Sequence, residues 1–293
     1  MMTLNFFLFC FYSLFLEDDA VKRAATQQEI IQRINFIGNF RVNFTSKPLY
    51  NLNQPRSISV LVMFDKDASS DLNNDITCAQ LYADKLIAWV NKYIIHANIQ
   101  LINAGVEMWI NYDRISYQFG SDPNQLMPGF VEQLQSYLNT NKSNLFGKKY
   151  AYGLLIANKT TLVTGGYSQA PLCTTNGVSI VNYRPYPLSI AALVAHELAH
   201  TMSVVHPWEL SQICSIFPTI RFCTKSILPS ECLCDTDSYP PEQCLMTFYF
   251  GRAVIDPPMY TPCDIELMNY FSSNSACIMG KVSKRQMIDY DKT

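Results

Sequence analysis

The chain reads as an α/β domain built on a mixed sheet, with one histidine-bearing helix and a disulfide-rich lower part. Three observations carry that reading. Apolar runs of strand length alternate with helical periodicity across residues 58–201, the pattern of a sheet with helices packed on it. Three of the four histidines fall within residues 196–206. Seven of the ten cysteines lie downstream of that stretch, from Cys214 to Cys277.

Residues 4–16 are almost unbroken apolar sequence and end at Glu17, Asp18 and Asp19. The run is too short to span a bilayer and suits the core of a signal peptide over 1–16; an ordinary buried segment is the other reading. Residues 17–55 are polar, close with Asn51-Leu52-Asn53-Gln54-Pro55, and read as a short pro-segment or linker. The packed domain is expected over 56–280, followed by a polar tail at 281–293.

The first strand is expected at Ile58–Phe64. From Ile76 to Ile95, Ala79, Tyr82, Ala83, Leu86, Val90 and Tyr93 recur at helical spacing. A strand comes next, from Ile99 to about Trp109. Leu126–Leu138 reads as a helix, with Pro128 near the first turn, where a missing N–H costs little. Tyr150–Ala157 and Gly177–Val181 are short apolar runs suited to central strands. The next helix starts near Pro187, with Ile190–Ala195 as its apolar lead-in, and a last helix is expected near Asp264–Phe271.

That lead-in runs into His196-Glu197-Leu198-Ala199-His200, with His206 six residues further on. On a helix, His196 and His200 stand one turn apart on one face and can share a metal ion. Glu197 projects beside them, placed to take a proton from a water at the metal. His206 cannot share that face on a continuous helix, so the chain must turn before it. Three neutral nitrogen ligands leave a fourth position open, the mark of a catalytic zinc site.

A net charge of −2 and a pI near 6.1 give no electrostatic case for nucleic acid or an anionic membrane. No segment after residue 16 is apolar enough to span a bilayer. The cysteines contain no CxxC pair, which favours disulfides in an oxidising compartment over a second metal. Sequons at Asn43, Asn141 and Asn158 point the same way, to a secreted glycoprotein.

The order of these elements around HExxHxxxxxH resembles the metzincin metalloproteases, and more narrowly the adamalysin (reprolysin) family of ADAM and venom-type enzymes. The resemblance runs over about residues 57–279. It rests on Thr164-Gly165-Gly166-Tyr167 with Cys173 and Gly177–Val181, on Cys244-Leu245-Met246, and on Pro262-Cys263-Asp264 through Cys277-Ile278-Met279. It implies a metzincin-like catalytic domain with Met246 in the Met-turn beneath the metal. It also implies disulfides Cys173–Cys277, Cys232–Cys263 and Cys234–Cys244, after which Cys214 and Cys223 pair most simply with each other. Cys78 is then expected to be a buried free thiol.

Four positions depart from the family's pattern. Ser203 replaces the glycine that lets the chain turn after the second histidine, where φ > 0 costs a residue with a Cβ roughly 1 kcal/mol or more. Pro207 replaces the aspartate after the third histidine and removes a support behind that ligand. Ser59 stands where a calcium-binding glutamate is common, so that calcium is not expected. Residues 17–55 contain no cysteine to block a zinc ion.

The implied protein is a secreted zinc endopeptidase. His196, His200 and His206 hold Zn²⁺, and Glu197 acts as general base toward the attacking water. Its partners are extracellular protein or peptide substrates, with no nucleic acid and no membrane, and a monomer is expected. The substrate would lie antiparallel to an edge strand near Thr164–Ser168, with its P1′ side chain beside Met246–Tyr249. The rival reading is a secreted zinc-containing binding protein or toxin with reduced or lost peptidase activity. Ser203 and Pro207 favour it, and the retained Glu197 opposes it. No cysteine lies beyond Cys277, so a disulfide-rich adhesive module is not expected.

Overall fold

The computed structural model describes residues 56–117, 123–159, 165–216, 221–224, 230–234, 244–246, 260–272 and 277–280. The expected signal, pro-segment and tail lie outside these residues, as do Asn43, Thr164 and 247–249.

Strand β1 (Arg56–Phe64) is the spine of a six-stranded sheet. It pairs in parallel with β2 (Ile99–Met108) on one side and β3 (Tyr152–Ala157) on the other. Beyond β3 come β5 (Val178–Asn182), parallel, and β4 (Gly166–Gln169), antiparallel, so β4 closes one edge. The short β6 (Met279–Gly280) pairs antiparallel with the start of β1. The fold is thus a mixed α/β sheet of metzincin-like type.

Alternation along β1 builds two cores, because successive side chains point to opposite faces. Ile58, Val60, Val62 and Phe64 pack with helix α2 (Ile76–Ile94) and helix α4 (Leu188–Thr201). Leu61 and Met63 face the other way, toward Phe130, Val131, Leu134 and Leu138 of helix α3 (Pro123–Lys142). β3 splits likewise, with Leu154 and Ile156 in the first core and Leu155 and Ala157 in the second. Each fully buried side chain of this kind contributes about 1.5–3 kcal/mol.

Several elements differ from their expected form. β1 begins at Arg56, whose polarity hides it. This arginine is fully buried and donates to the Ala97 carbonyl and to Asn269 Oδ1. Helix α3 runs past both expected ends, with Pro123 at its first position and Pro128 inside it. A short helix α1 (Lys66–Asp71) succeeds β1 because buried Asp65 accepts from the Ala68 N–H at 2.8 Å. Cys78 carries no disulfide and is half-buried rather than buried, because it lies off the α2 stripe of Ala79, Tyr82, Ala83, Leu86 and Val90.

The lower part carries short helices α5 (Leu210–Ile216) and α6 (Ser230–Leu233) and helix α7 (Pro262–Ser272). Thr261 and Asp264 cap α7 reciprocally. Thr261 N–H donates to Asp264 Oδ2 at 2.8 Å, and Asp264 N–H donates to Thr261 Oγ1 at 3.1 Å. Tyr260 donates its hydroxyl to the Ala195 carbonyl at 2.5 Å, which docks the entrance of α7 onto α4. Among the described residues the bonded cysteines are Cys173–Cys277, Cys214–Cys223, Cys232–Cys263 and Cys234–Cys244.

This packing can be tested at two points. The Cys173–Cys277 bond closes 104 residues, so replacing both cysteines with serine should lower unfolding free energy by about 2–5 kcal/mol in denaturant titrations. An unchanged midpoint would contradict a tertiary role for that bond. Burial pushes the Asp264 carboxyl up to about 7 against its capping hydrogen bonds. Its folded pKa lies above the unfolded value, so its contribution is fully present below about pH 4 and is lost as pH rises through about 7. Asp264→Asn should therefore gain stability relative to the parent between those limits; a pH-independent difference would refute the assignment.

Candidate metal centre

Helix α4 ends at Thr201, and the turn beyond it decides where His206 goes. Ser203 holds φ 63°. Val204 N–H donates to the Ala199 carbonyl at 3.1 Å and Ser203 N–H to the His200 carbonyl at 2.9 Å. That bond pair is a Schellman motif with serine in the left-handed position that glycine usually fills. It turns the chain off the helix axis. Val204 and Val205, both buried, then lead to His206, which has extended backbone at φ −69°, ψ 155°.

The three imidazoles converge. One nitrogen from each of His196, His200 and His206 lies within 4.8 Å of the others, and all three residues are buried. His196 Nδ1 meets the Leu245 carbonyl and His200 Nδ1 the Val204 carbonyl, both at 2.7 Å. His206 Nδ1 lies 3.2 Å from Glu209 Oε2. Carbonyls only accept, so the first two rings carry their proton on Nδ1 and present the Nε2 lone pair. His196 Nε2 and His200 Nε2 are 3.1 Å apart. Two lone pairs facing each other repel unless a cation lies between them. An all-imidazole, buried donor set with each outer nitrogen tied back to oxygen fits zinc.

Glu197 is 4% exposed and lies against the edge strand. A Cβ added at Gly166 would meet Glu197 Oε1 at 3.0 Å, Glu197 Cγ at 3.1 Å and Leu193 Cδ1 at 3.2 Å. Glycine at 166 is what lets β4 approach the carboxylate. Met246 is fully buried in the same core as Val194, Leu198 and Ala199.

Sequence reasoning missed Glu209. The family pattern implies that Pro207 leaves His206 unsupported. Instead, Pro207 opens a 3₁₀ turn (Pro207–Glu209) that brings Glu209 back onto the ring and onto the His206 N–H, at 2.9 Å. The signal was available: a proline directly after a capping position and a glutamate two residues further on form a capping-box spacing. The carbonyls of Leu245 and Val204 left no trace in the sequence, because any residue supplies one.

A mixed α/β domain with a buried three-histidine centre on an HExxH helix defines a zinc metalloprotease class. Residues 56–281 match the model of the "Reprolysin (M12B) family zinc metalloprotease", and the chain belongs to that family. A "Zinc metalloproteinase/disintegrin" from Bitis gabonica is 26% identical over 154 residues, which cover 52% of this chain and 46% of the relative. The chain therefore spans about half the length of that curated relative. A solved "Structure of a chaperone-substrate complex" aligns at 11% identity and a TM-score of 0.40, covering 52% of this chain and 25% of that one. A likeness of that size carries no argument.

Serine at φ 63° is held against its preference, which costs roughly 1 kcal/mol relative to glycine. Ser203→Gly should raise thermal stability and keep zinc affinity, whereas Ser203→Val should lower both, since a β-branched side chain tolerates that backbone least. Equal stability and zinc dissociation across the three proteins would contradict the turn.

Proposed function

We propose that this family member is a secreted, active zinc endopeptidase whose turnover depends on Glu197. The observation that carries the reading is the conjunction of a zinc-compatible histidine centre with a buried carboxylate held against a sheet edge. A purely structural site has no use for that carboxylate.

A bound zinc ion, held by His196, His200 and His206, would supply Lewis acidity that these side chains lack. The residues do the rest. Glu197 accepts a proton from the attacking water and returns it to the leaving amine. Its burial keeps competing water away and strengthens its electrostatic hold on the proton. β4 is the last strand of the described sheet, so its outer edge can pair with an extended peptide in the manner of β-strand addition. Gly166 then sets the peptide backbone close to Glu197. The P1′ side chain would enter beside α4 and Met246, the apolar floor of the centre.

Four disulfides support an oxidising, extracellular setting. Among the described residues, no helix is long and apolar enough to cross a membrane. Asn141 and Asn158 are exposed, as glycan acceptors must be. Protein substrates accord with the class, and a monomer is part of the proposal.

Purified protein should contain one zinc per chain, cleave a denatured protein substrate near neutral pH and lose activity to a chelator. Glu197→Ala should retain the metal and fall in kcat by about 10²–10⁴-fold. Full activity in that variant would contradict the mechanism. Metal binding without cleavage by the parent would favour a binding protein instead.

A further inference from the structure

We propose that Glu209 and Trp208 form a clamp on His206, and that this clamp sets the metal affinity of the centre. The proposal rests on reading the three histidines as a zinc site, and it makes Glu209 a positioning residue acting through His206.

His206 differs from its two partners in how it is held. His196 and His200 project from α4, and the helix fixes their direction. His206 sits on extended backbone beyond the helix, so its ring needs another restraint. Three consecutive residues supply one. Pro207 fixes the backbone at the first position of the 3₁₀ turn. The Glu209 N–H closes the turn by donating to the His206 carbonyl at 2.9 Å, and this capping-box relation returns the Glu209 side chain to His206. A single oxygen, Glu209 Oε2, then accepts from both the His206 backbone N–H at 2.9 Å and the ring at Nδ1, 3.2 Å away. The indole of Trp208 lies on the ring, with centroids 4.5 Å apart and planes 7° from parallel. Edge and face of the imidazole are both held.

The chemistry of the acceptors is also unequal. His196 and His200 rest on neutral carbonyls, whereas His206 rests on a carboxylate that is only 2% exposed. A buried carboxylate is costly unless it is hydrogen-bonded and faces opposite charge. Facing the Nδ1–H, it raises the basicity of Nε2 and balances part of a cation's charge, and removing such a partner behind a metal ligand typically costs 10–100-fold in affinity. Glu209 is therefore, among the described residues, a carboxylate placed to tune the third ligand, in a stretch where Pro207 alone would predict an unsupported one.

The test uses the full chain, freed of metal by dialysis against a chelator and titrated with zinc in competition with a chromophoric chelator. Glu209→Ala should weaken zinc binding by about 10–100-fold. Glu209→Gln, which keeps an acceptor and loses the charge, should recover most of the alanine loss but bind more weakly than the parent. Trp208→Ala should weaken binding less than Glu209→Ala, and Trp208→Phe should restore it. The visible absorption of the cobalt-substituted protein should change in Glu209→Ala and stay near the parent in Glu209→Gln. Melting of the metal-free proteins separates tuning from capping. Loss of the cap on the His206 N–H lowers the melting of both forms, and the proposal requires Glu209→Ala to lose more in the metal-loaded form than in the metal-free one. An equal drop in both forms would reduce Glu209 to a turn cap and overturn it. Zinc affinity within about threefold of the parent in Glu209→Ala would also overturn it, with the zinc site itself intact. A parent chain that binds no zinc would instead refute the underlying metal reading.

Discussion

An imidazole buried as deeply as those of His196, His200 and His206 must place its Nδ1 proton on an oxygen, and the three acceptors dictate what surrounds the centre. The Leu245 carbonyl requires residues 244–246 to pass under α4, where Cys244 is tied to Cys234. The Val204 carbonyl requires the chain to leave α4 through the left-handed turn at Ser203. The Glu209 carboxylate requires the 3₁₀ turn after Pro207. The lower part of the molecule is thus the scaffold of three hydrogen bonds, as much as a cysteine-stapled appendage. Once those protons are placed on Nδ1, the Nε2 atoms have lone pairs facing inward.

The sheet supplies the other half of the arrangement. β1 and β3 are buried on both faces and fix α4 against the first core. At the far edge β4 runs antiparallel to β5 and presses Gly166 against Glu197. Glu197, the proposed general base, is consequently held between a helix that also carries His196 and His200 and the edge strand β4. A Cβ at 166 would meet Glu197 and Leu193 at 3.0–3.2 Å, so those side chains would have to shift.

Much of this was legible in the chain itself. Periodicity marked the central strands and α2 because their apolar faces meet a continuous core, and the spacing of His196, His200 and His206 marked the centre because helical geometry converts i and i+4 into one face. The misses have physical causes. Arg56 opens β1, but a buried arginine bonded to Ala97 and Asn269 looks like a surface residue in a hydropathy reading. Helix α1 depends on a cap from Asp65, which becomes visible only when the strand before it is known to end there. Pro207 reads as a loss until the turn it starts is seen to carry Glu209 back to the ring. Backbone acceptors are beyond sequence altogether, since they depend on where chains cross.

Nitrogen NMR of the imidazoles reads directly whether the three protons sit on the three Nδ1 atoms. The chain has only four histidines, so the spectrum is assignable. In metal-free protein above the imidazole titration range, His196, His200 and His206 should each show a protonated Nδ1 and an unprotonated Nε2. Adding one equivalent of zinc should then shift the three Nε2 resonances and leave His96 in place. Protons found on Nε2 in the metal-free form, or Nε2 resonances that do not respond to zinc, would contradict the account.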